Sequence, residues 1–510
     1  VYNNYTITNT GSTGFGGLGG LDLTGAHFLG GVGQAWAWQT AVVSSNNSQS
    51  VFLDTNTATT TWWWPNQANA KSQTGVGLVY GKLNLLDADG EWYYDSGGST
   101  LYLRIAGEGD PSTHTVEMQR RTWCVNISGN HVMVRRMVVR AGAIELNGMG
   151  DVLESCDAGY LSHYLTFTHG ASRNGGLPQG GGVVLGGSSN TVCNCAIHDT
   201  SGCGINVSSG GGDIIMNNLI YNTDYAGTYA GCISLNGTGD IVRFNTAHDS
   251  GRDILVPSGS GHDIEYNDLS HSGRLCLDLG VIYVFGENGM DANGIRTRIA
   301  HNWVHDGNLN DPLSKGIYLD NYSRNFLVDH NVIWNMGTGD KNDGIHLNSP
   351  ANGIQLYHNT LFSCGAYNGG TWNNLPAFNP DPTYWTATNN HLFYTAQNNL
   401  VLTNAAMVRS NLVNAASEDF RLQATSSAVD PRLTTNVISW WTTNGVVNVP
   451  AGFKLGMRVK NQLYSYQEVV GQGVVLSGIN DGYLGSTPDS GAYEHDAPYW
   501  RPGTNGLRMQ

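Results

Sequence analysis

Seven short segments of this chain repeat one pattern: an apolar residue, Asn three positions later, and another apolar residue two positions after that. Cys replaces Asn in the first segment, and the positions in order are Cys195, Asn218, Asn245, Asn267, Asn302, Asn331 and Asn359. Between them recurs a second motif, Gly-Ile-x-Leu or a relative, as at 316–319 and 344–347. Two short strands per repeat, at this spacing, are typical of a solenoid in which each repeat packs on its neighbours.

The repeat predicts an all-β fold, a right-handed parallel β-helix. Ile and Leu of Gly-Ile-x-Leu alternate with x, so Ile and Leu face the core and x faces outward. Each repeated Asn is expected at a corner, where its amide bonds the coils above and below in a structural ladder. The composition agrees, because 68 Gly and only 13% charged residues disfavour long, salt-bridged helices.

Three regions are expected along the chain. Residues 1–125 lack the repeat and predict a β-rich region that covers the first coil, including a hairpin around the turn at 96–99. Residues 126–414 predict the β-helix with its groove, and residues 415–510 a closing C-terminal cap. A solenoid grows along one axis, so 510 residues can form one body.

The charge of the chain narrows its partners. The net charge is −15 and only six residues are Lys, which excludes nucleic acid as a partner and disfavours strongly anionic polysaccharides. The 14 Trp and 24 Tyr suit neutral or weakly charged sugars, although many aromatic residues simply fill turns and caps. No apolar run reaches the roughly 18 residues of a membrane span, and the oligomeric state stays open. The start at Val1, without a leader, suggests a processed form or a fragment.

The eight cysteines permit disulfides without requiring them. Cys203 and Cys232 fall one coil apart and one position out of register, near enough to bridge in principle. The alternative is that they are two buried thiols.

Several motifs together resemble one group of proteins. They are Gly-Glu-Trp-Tyr-Tyr-Asp at 90–95, Asp-Phe-Arg-Leu at 419–422 and Gly-Ala-Tyr-Glu at 491–494, in addition to the coil motifs. The chain resembles the secreted bacterial right-handed parallel β-helix proteins, a group of glycoside hydrolases and polysaccharide lyases. The segments 316–321 and 330–334 are most similar to the glycosidase branch, which includes β-xylosidase-like enzymes. The resemblance implies a secreted glycoside hydrolase that degrades a cell-wall or other structural glycan.

Coil length indicates where a site should lie. The steps that end at Asn302, Asn331 and Asn359 are the longest, at 35, 29 and 28 residues, and extra length must leave the stack as loops. The inserts are 286–294, 308–314 and 336–342. Aligning the Gly-Ile-x-Leu segments gives one outward column of Leu255, Tyr283, Tyr318 and His346 and a second of Pro257, Phe285, Asp320 and Asn348.

A glycosidase needs one carboxylic acid and one carboxylate. Asp320, on a strand and flanked by aromatic residues, is the first candidate, and Glu287, roughly 8 Å away along the backbone, is its expected partner. Asp343 and Asp278 are further candidates, each roughly 15 Å or more to the side of Asp320. Any of these carboxylates can instead be a solvated turn residue. The expected substrate-binding residues are Tyr318, His346, Tyr283, Trp334, Arg252 and Lys315.

Two other functions stay open. Arg252 and Lys315, aligned in one outward column with Arg274 nearby, would suit a polysaccharide lyase that eliminates across a uronate. A non-catalytic carbohydrate-binding β-helix or adhesin would share the same outward residues. No cofactor is expected and structural Ca²⁺ is possible, because oxygen-rich turns are plentiful. No transition-metal site is expected, since Tyr221 and Ser270 interrupt the column of His198, His248 and His305.

Overall fold

The structure is a computed structural model of the 510-residue chain. It describes residues 6–8, 20–31, 35–48, 50–54, 77–161, 181–308, 314–337, 342–348, 350–364, 367–368, 371–372, 379–381, 389–443, 446–448 and 463–504. Of the three expected inserts, 286–294 is described, whereas 309–313 and 338–341 lie outside these residues. In the described ranges no helix is both long enough and apolar enough to cross a membrane.

The chain forms a right-handed parallel β-helix with three parallel sheets along its length, as the repeat predicts. Sheet 1 contains Trp123–Ile127, Ala143–Leu146, Val183–Leu185, Ile205–Val207, Gly231–Leu235, Asp253–Pro257, Gly280–Val284, Lys315–Leu319, Ile345–Asn348 and Asn379–Asp381. Sheet 2 contains Met133–Arg135, Val152–Glu154, Thr191–Cys193, Ile214–Met216, Ile241–Arg243, Asp263–Glu265, Arg298–Ala300, Leu327–Asp329, Ala351–Tyr357 and Asn389–Gln397. Sheet 3 contains Val138–Arg140, Asp157–Gly159, Ala196–His198, Leu219–Thr223, Thr246–Ser250, Asp268–Ser270, Trp303–His305, Val332–Gly337, Thr360–Cys364 and Leu400–Leu402.

An asparagine ladder runs along the corner between sheets 2 and 3. The backbone N–H of Asn267 donates to Oδ1 of Asn302 at 2.9 Å, and that of Asn302 donates to Oδ1 of Asn331 at 3.0 Å. The side-chain amide of Asn302 also donates to the backbone oxygen of Ile264 at 2.9 Å. These asparagines are fully buried, and the same bonding continues to Asn399. The ladder therefore satisfies the polar groups of a corner that water cannot reach, as predicted.

The residue before each ladder position adopts a left-handed backbone conformation. The φ angles of Tyr266, His301, His330 and His358 are 56°, 54°, 54° and 52°. Their rings stack at centroid distances of 4.7–4.8 Å, close to the spacing of the coils. Aromatic stacking thus accompanies a conformation that usually favours glycine or asparagine.

The N-terminal region contacts the middle of the stack. Its five-stranded sheet contains Thr6–Thr8, His27–Gly30, Gln39–Asn46, Ser50–Leu53 and Gly77–Tyr80, and the expected hairpin is Trp92–Asp95 with Thr100–Leu103. Trp38 donates from its backbone to Gly227 and from its indole to Leu275, at 2.6 and 2.8 Å. These bonds join the region to the turns that precede the strands Gly231–Leu235 and Gly280–Val284. That the region also covers the first coil stays a prediction.

The C-terminal region extends sheet 2 and also runs along the side of the helix. The strands Leu463–Gln472, Thr434–Thr443 and Val446–Asn448 extend sheet 2, and the helix Ala405–Asn411 precedes the hairpin of Leu412–Asn414 with Asp419–Leu422. Short 3-10 turns lie at Leu83–Leu85, Ala106–Glu108, Pro111–Thr113 and Ala415–Ser417, and a further hairpin joins Tyr367–Asn368 to Thr371–Trp372. Residues 489–504 instead run back along the coils, where Thr504 bonds Thr246. That residues 415–510 form a closing cap stays a prediction.

All eight cysteines are free thiols. Residue 205 pairs with 233 in sheet 1, so Cys203 and Cys232 are one position out of register. Cys203 bonds the Ser234 hydroxyl, whereas Cys232 packs in the core. The two thiols have different hydrogen-bonding partners, Ser234 for Cys203 and Thr223 for Cys232, and no bridge joins them. The alternative of two buried thiols is the one observed.

Candidate functional site

The outward face of sheet 1 brings together most of the expected site residues. Tyr283 pairs with Tyr318, and Tyr318 with His346, so these three form one column as predicted. Leu319 pairs with Leu347, which places Asp320 beside Asn348 at the next position. The predicted extension of the columns to Leu255 and Pro257 is wrong, because Leu255 pairs with Ile282 and lies in the core.

The Asp320 carboxylate is held by neutral donors. Its Oδ1 accepts from the backbone of Asn321 at 2.7 Å and from the Asn348 amide at 2.8 Å. The Tyr283 hydroxyl donates to Oδ2 at 2.8 Å, and the Tyr229 hydroxyl donates to that of Tyr283 at 2.9 Å. Asp320 is 8% exposed, so these bonds fix its orientation in a mostly enclosed place.

The tyrosines of the site stay protonated. Burial, and then the charge of Asp320, raise the pKa of Tyr283 and of Tyr318 well above the usual value. Burial likewise raises the pKa of Tyr229. Tyr318 lies close enough to both Asp320 and Asp278 for each charge to contribute. The three hydroxyls therefore act as neutral hydrogen-bonding groups across the working range of pH.

Asp278 is ionised next to a buried cation. Lys315 Nζ lies 2.8 Å from Asp278 Oδ1 and 4.4 Å from the centroid of the Tyr318 ring. Burial opposes ionisation of Asp278, but Lys315 outweighs it, with help from Arg252 and His346, and lowers the pKa. The Lys315 ammonium thus contacts both the Asp278 carboxylate and the Tyr318 ring.

Arg252 is buried and fully engaged. Its guanidinium pairs with Asp253, donates to the backbone oxygen of Trp36 at 2.8 Å, and lies 3.7 Å from the Tyr229 ring centroid. The predicted shared column of Arg252 with Lys315 is wrong by one position. Leu255 pairs with Ile282 and Gly280 with Lys315, so Asp253 is the residue that aligns with Lys315. Arg252 is only 1% exposed and packs against the rings of Tyr229 and Tyr283.

His346 forms a dyad with Asp343. Its Nδ1 lies 2.6 Å from Asp343 Oδ2, and this contact fixes the orientation of the ring. Nε2 is then the ring nitrogen that can exchange a proton with a substrate. The ring stands perpendicular to that of Tyr318, with centroids 4.9 Å apart. Asp343 thus orients a histidine that faces Tyr318.

The hydrogen bond of the Glu287 side chain and the ring contacts of Trp334 lie outside this group, so the roles of both residues stay predictions. Glu287 Oε2 accepts from the backbone N–H of Gly259 at 3.4 Å. Gly259 lies in the coil before that of Glu287, whereas Asp320 lies in the coil after it. Trp334 belongs to sheet 3, stacks on His305 at 4.2 Å, and lines a cavity of about 690 Å³ beside the helix Ala405–Asn411. Among the described residues, no hydrogen bond or ring contact joins either side chain to Asp320.

Sequence reasoning missed Tyr229 and Asp253. Tyr229 lies in the turn before its strand and reaches Tyr283 two coils away, which no local motif signals. Asp253 is fully buried beside Arg252, and an Arg-Asp pair at the start of an apolar strand was an available signal. When Asp253 is included, the charged residues around Tyr283 and Tyr318 are four carboxylates and two cations, namely Asp253, Asp278, Asp320, Asp343, Arg252 and Lys315.

The predicted histidine column of sheet 3 forms, with Tyr221 and Ser270 between its members. Both ring nitrogens of His305 bond carboxylates, Asp268 and Asp306, at 2.7 Å each. Elsewhere, ligand atoms of His301, Asp329 and His330 lie within 4.8 Å of one another. Both oxygens of Asp329 already bond the Arg298 guanidinium, so a metal ion would have to compete with that pair.

Comparisons with known proteins support the fold. Two solved structures are similar: a glycoside hydrolase at 12% identity and TM-score 0.42, covering 72% of this chain and 70% of that one, and pectate lyase Pel9A at 13% identity and TM-score 0.32, covering 75% and 85%. No curated protein matches the chain. The family model described as a right-handed beta helix region matches residues 181–438, just over half of the 510 residues. The chain belongs to the right-handed β-helix family.

Proposed function

We propose that the protein is a carbohydrate-active enzyme that hydrolyses glycosidic bonds of a neutral or weakly charged glycan on the outward face of sheet 1. The observation that carries the proposal is that Asp320, held by neutral donors, and Asp278, held ionised by Lys315, both contribute their charge to the raised pKa of Tyr318. Two carboxyl groups in different environments are what glycoside hydrolysis requires.

The environments suggest separate roles. Asp278, whose pKa Lys315 lowers against the effect of burial, supplies the ionised carboxylate that attacks the sugar or activates water. Asp320 supplies the acid, because its Oδ1 is occupied by two N–H donors whereas its Oδ2 meets only hydroxyls. Hydroxyl protons rotate, so the chain from Tyr229 through Tyr283 can also accept a proton from Oδ2. That chain holds Asp320 in either protonation state.

The balance of charge favours a neutral substrate. Even with Asp320 protonated as the acid, three carboxylates against two cations give this group a negative charge, which opposes binding of a uronate. Both cations are already paired, Arg252 with Asp253 and Lys315 with Asp278.

Secretion and structural Ca²⁺ stay predictions, the first from the resemblance and the second from the oxygen-rich turns.

A second candidate is a polysaccharide lyase, favoured by the dyad of His346 and Asp343. A histidine oriented by a carboxylate is a suitable base for removing a proton, and Lys315 lies nearby, against Tyr318. This reaction would require one cation to leave its carboxylate and bind the substrate.

The test follows two products on a panel of neutral and uronate-containing glycans. We expect new reducing ends without the ultraviolet absorbance of an unsaturated uronate, and their loss in Asp320→Asn and Asp278→Asn by at least about 100-fold. Glu117→Gln, at an exposed position of the N-terminal region, is the control and should keep its activity. Absorbance that rises with the reducing ends would assign a lyase, and absence of both products would assign a binding protein.

A further inference from the structure

The asparagine ladder begins with two cysteines. Leu153, Cys156 and Ala158 repeat the ladder spacing, and the next rung is Cys195. Asp157 pairs with Ala196, so the two cysteines before them are in register on neighbouring coils. The backbone N–H of Cys156 points to Cys195 Sγ at 3.4 Å, in the place of an asparagine rung bond. Two thiols thus occupy equivalent positions one coil apart.

We propose that Cys156 and Cys195 are a modification site, at which a hydroperoxide converts the two thiols into a disulfide that joins neighbouring coils. Coils stack about 4.8 Å apart, which lies inside the usual Cα separation of disulfides. Both side chains lie in the same core cluster and so face the same side. Both thiols bond the oxygen of the residue two positions earlier, at 3.4 Å for Cys156 and 3.2 Å for Cys195, so they point alike.

The other nearby cysteines lack this geometry. Cys203 and Cys232 are one position out of register, and Cys203 bonds the Ser234 hydroxyl. Cys193 pairs in register with Glu154 and lies on the face of its strand opposite to Val192, which is in the core. The register of the coils therefore selects Cys156 and Cys195 from these five thiols.

The chemistry favours attack by Cys156. A hydrogen bond from the Cys195 thiol, supported by backbone N–H groups, lowers the pKa of the Cys156 thiol to about 6 although burial opposes it. The thiolate attacks one oxygen of hydrogen peroxide and breaks the O–O bond, which gives a sulfenic acid, and the other oxygen leaves as hydroxide and takes up the proton released by Cys156 to form one water. Cys195 then loses its proton and attacks the Cys156 sulfur, which releases a second water. Two thiols and one hydroperoxide thus give one disulfide, and the peroxide is reduced by two electrons.

Access to Cys156 passes through the first coil. Met133 and Val138 of that coil are 54% and 70% exposed, and Cys156 Sγ lies 4.0 Å from the backbone oxygen of Val134. A coil with so little buried surface opens more easily than the middle of the stack. A molecule as small as hydrogen peroxide then reaches the thiol.

The test maps linked peptides after hydrogen peroxide treatment of the folded full-length chain. Cleavage before Asp separates Cys156 in residues 151–156, Cys193 and Cys195 in 157–198, Cys203 in 199–212 and Cys232 in 224–239. The Cys193→Ser variant leaves Cys195 as the sole thiol of its peptide. We expect a linked pair of 151–156 with 157–198, lighter by about 2 Da than the sum of its parts.

Two further observations complete the test. The linked pair should be absent from a Cys193→Ser, Cys195→Ser double variant, and oxidation should raise the melting temperature of Cys193→Ser by a few degrees, reversibly with a thiol reductant. Links that involve 199–212 or 224–239, or Cys156 oxidised to sulfinic acid without a link, would overturn the proposal. Because the peptide map reads the chain with both thiols present, the result does not depend on how the double variant folds.

Discussion

The Tyr283 hydroxyl donates a 2.8 Å hydrogen bond to Asp320 across one coil, although 37 residues separate them in sequence. The Tyr229 hydroxyl donates to the Tyr283 hydroxyl, so a chain of two hydroxyls ends on the Asp320 carboxylate. Arg252 packs against both rings, with its central carbon 3.7 and 4.5 Å from their centroids. The position of Asp320 therefore depends on three coils and on the N-terminal region that bonds Arg252.

Replacing Tyr283 by Phe removes the hydroxyl chain and keeps the ring. We expect the catalytic rate constant on a hydrolysed glycan to fall about tenfold or more, since a hydrogen bond to a charged group is lost. The melting temperature should change little, because the aromatic packing remains. Steady-state kinetics measure the effect, with Tyr102→Phe on the exposed hairpin as the control. An unchanged rate would show that Tyr283 is a packing residue only.

Replacing Lys315 by Met leaves Asp278 without its cation. Lys315 lowers the pKa of Asp278, so its removal raises that pKa, and burial adds to the rise. A base must be ionised to act, and the acidic limb of the pH–rate profile should therefore move to higher pH. The measurement is the profile of kcat/KM for both proteins, with Lys82→Met in the N-terminal region as the control. A limb that stays in place would exclude Asp278 as the base.

His305 should make stability depend on pH. Burial opposes its protonation, but hydrogen bonds to Asp268 and Asp306 outweigh it and raise the pKa to about 9. The charged form is thus stabilised in the folded state, so the contribution is complete below about pH 6.5, the unfolded value, and is lost as pH rises to about 9. We expect a loss of up to about 3 kcal/mol across this window.

Denaturant unfolding at several pH values measures this loss. His305→Asn should flatten the dependence between about pH 6.5 and pH 9, whereas His114→Asn, at an exposed position, should leave it unchanged. A dependence that persists in His305→Asn would assign it to another group.

The sequence predicts the coils well because the ladder repeats a polar residue that only a corner can hold. It predicts the alignment of Tyr283, Tyr318 and His346, where apolar and polar residues alternate. It fails at Leu255, because the run from Ile254 to Val256 is apolar throughout and leaves the phase of the strand undetermined. The ion pair of Asp278 with Lys315 was not predictable either, since it depends on the Lys315 ammonium reaching back from the next coil.

Replacing Asn302 by Ala interrupts the ladder at its middle. The Asn267 N–H and the Ile264 carbonyl would lose their partners in a place that water cannot enter. We expect a loss of about 3 kcal/mol or more in the free energy of unfolding, measured by denaturant titration. Asn352→Ala, an exposed strand position, is the control and should stay within about 0.5 kcal/mol of the original protein. Equal losses in the two variants would contradict a structural role for the ladder.

The docking of the N-terminal sheet should stabilise the site from outside the coils. Trp38 packs with Leu29, Cys276 and Leu279 and donates two hydrogen bonds to the coil turns. Replacing it by Ala should cost about 3–5 kcal/mol, the usual range for a buried aromatic side chain. Hydrogen exchange should then accelerate at residues 275–280, which precede and begin the Tyr283 strand, and not at the ladder corner of Asn331. Trp92→Ala, at a position 64% exposed, should change neither quantity, and equal exchange in both variants would show that the coils hold the site without the N-terminal region.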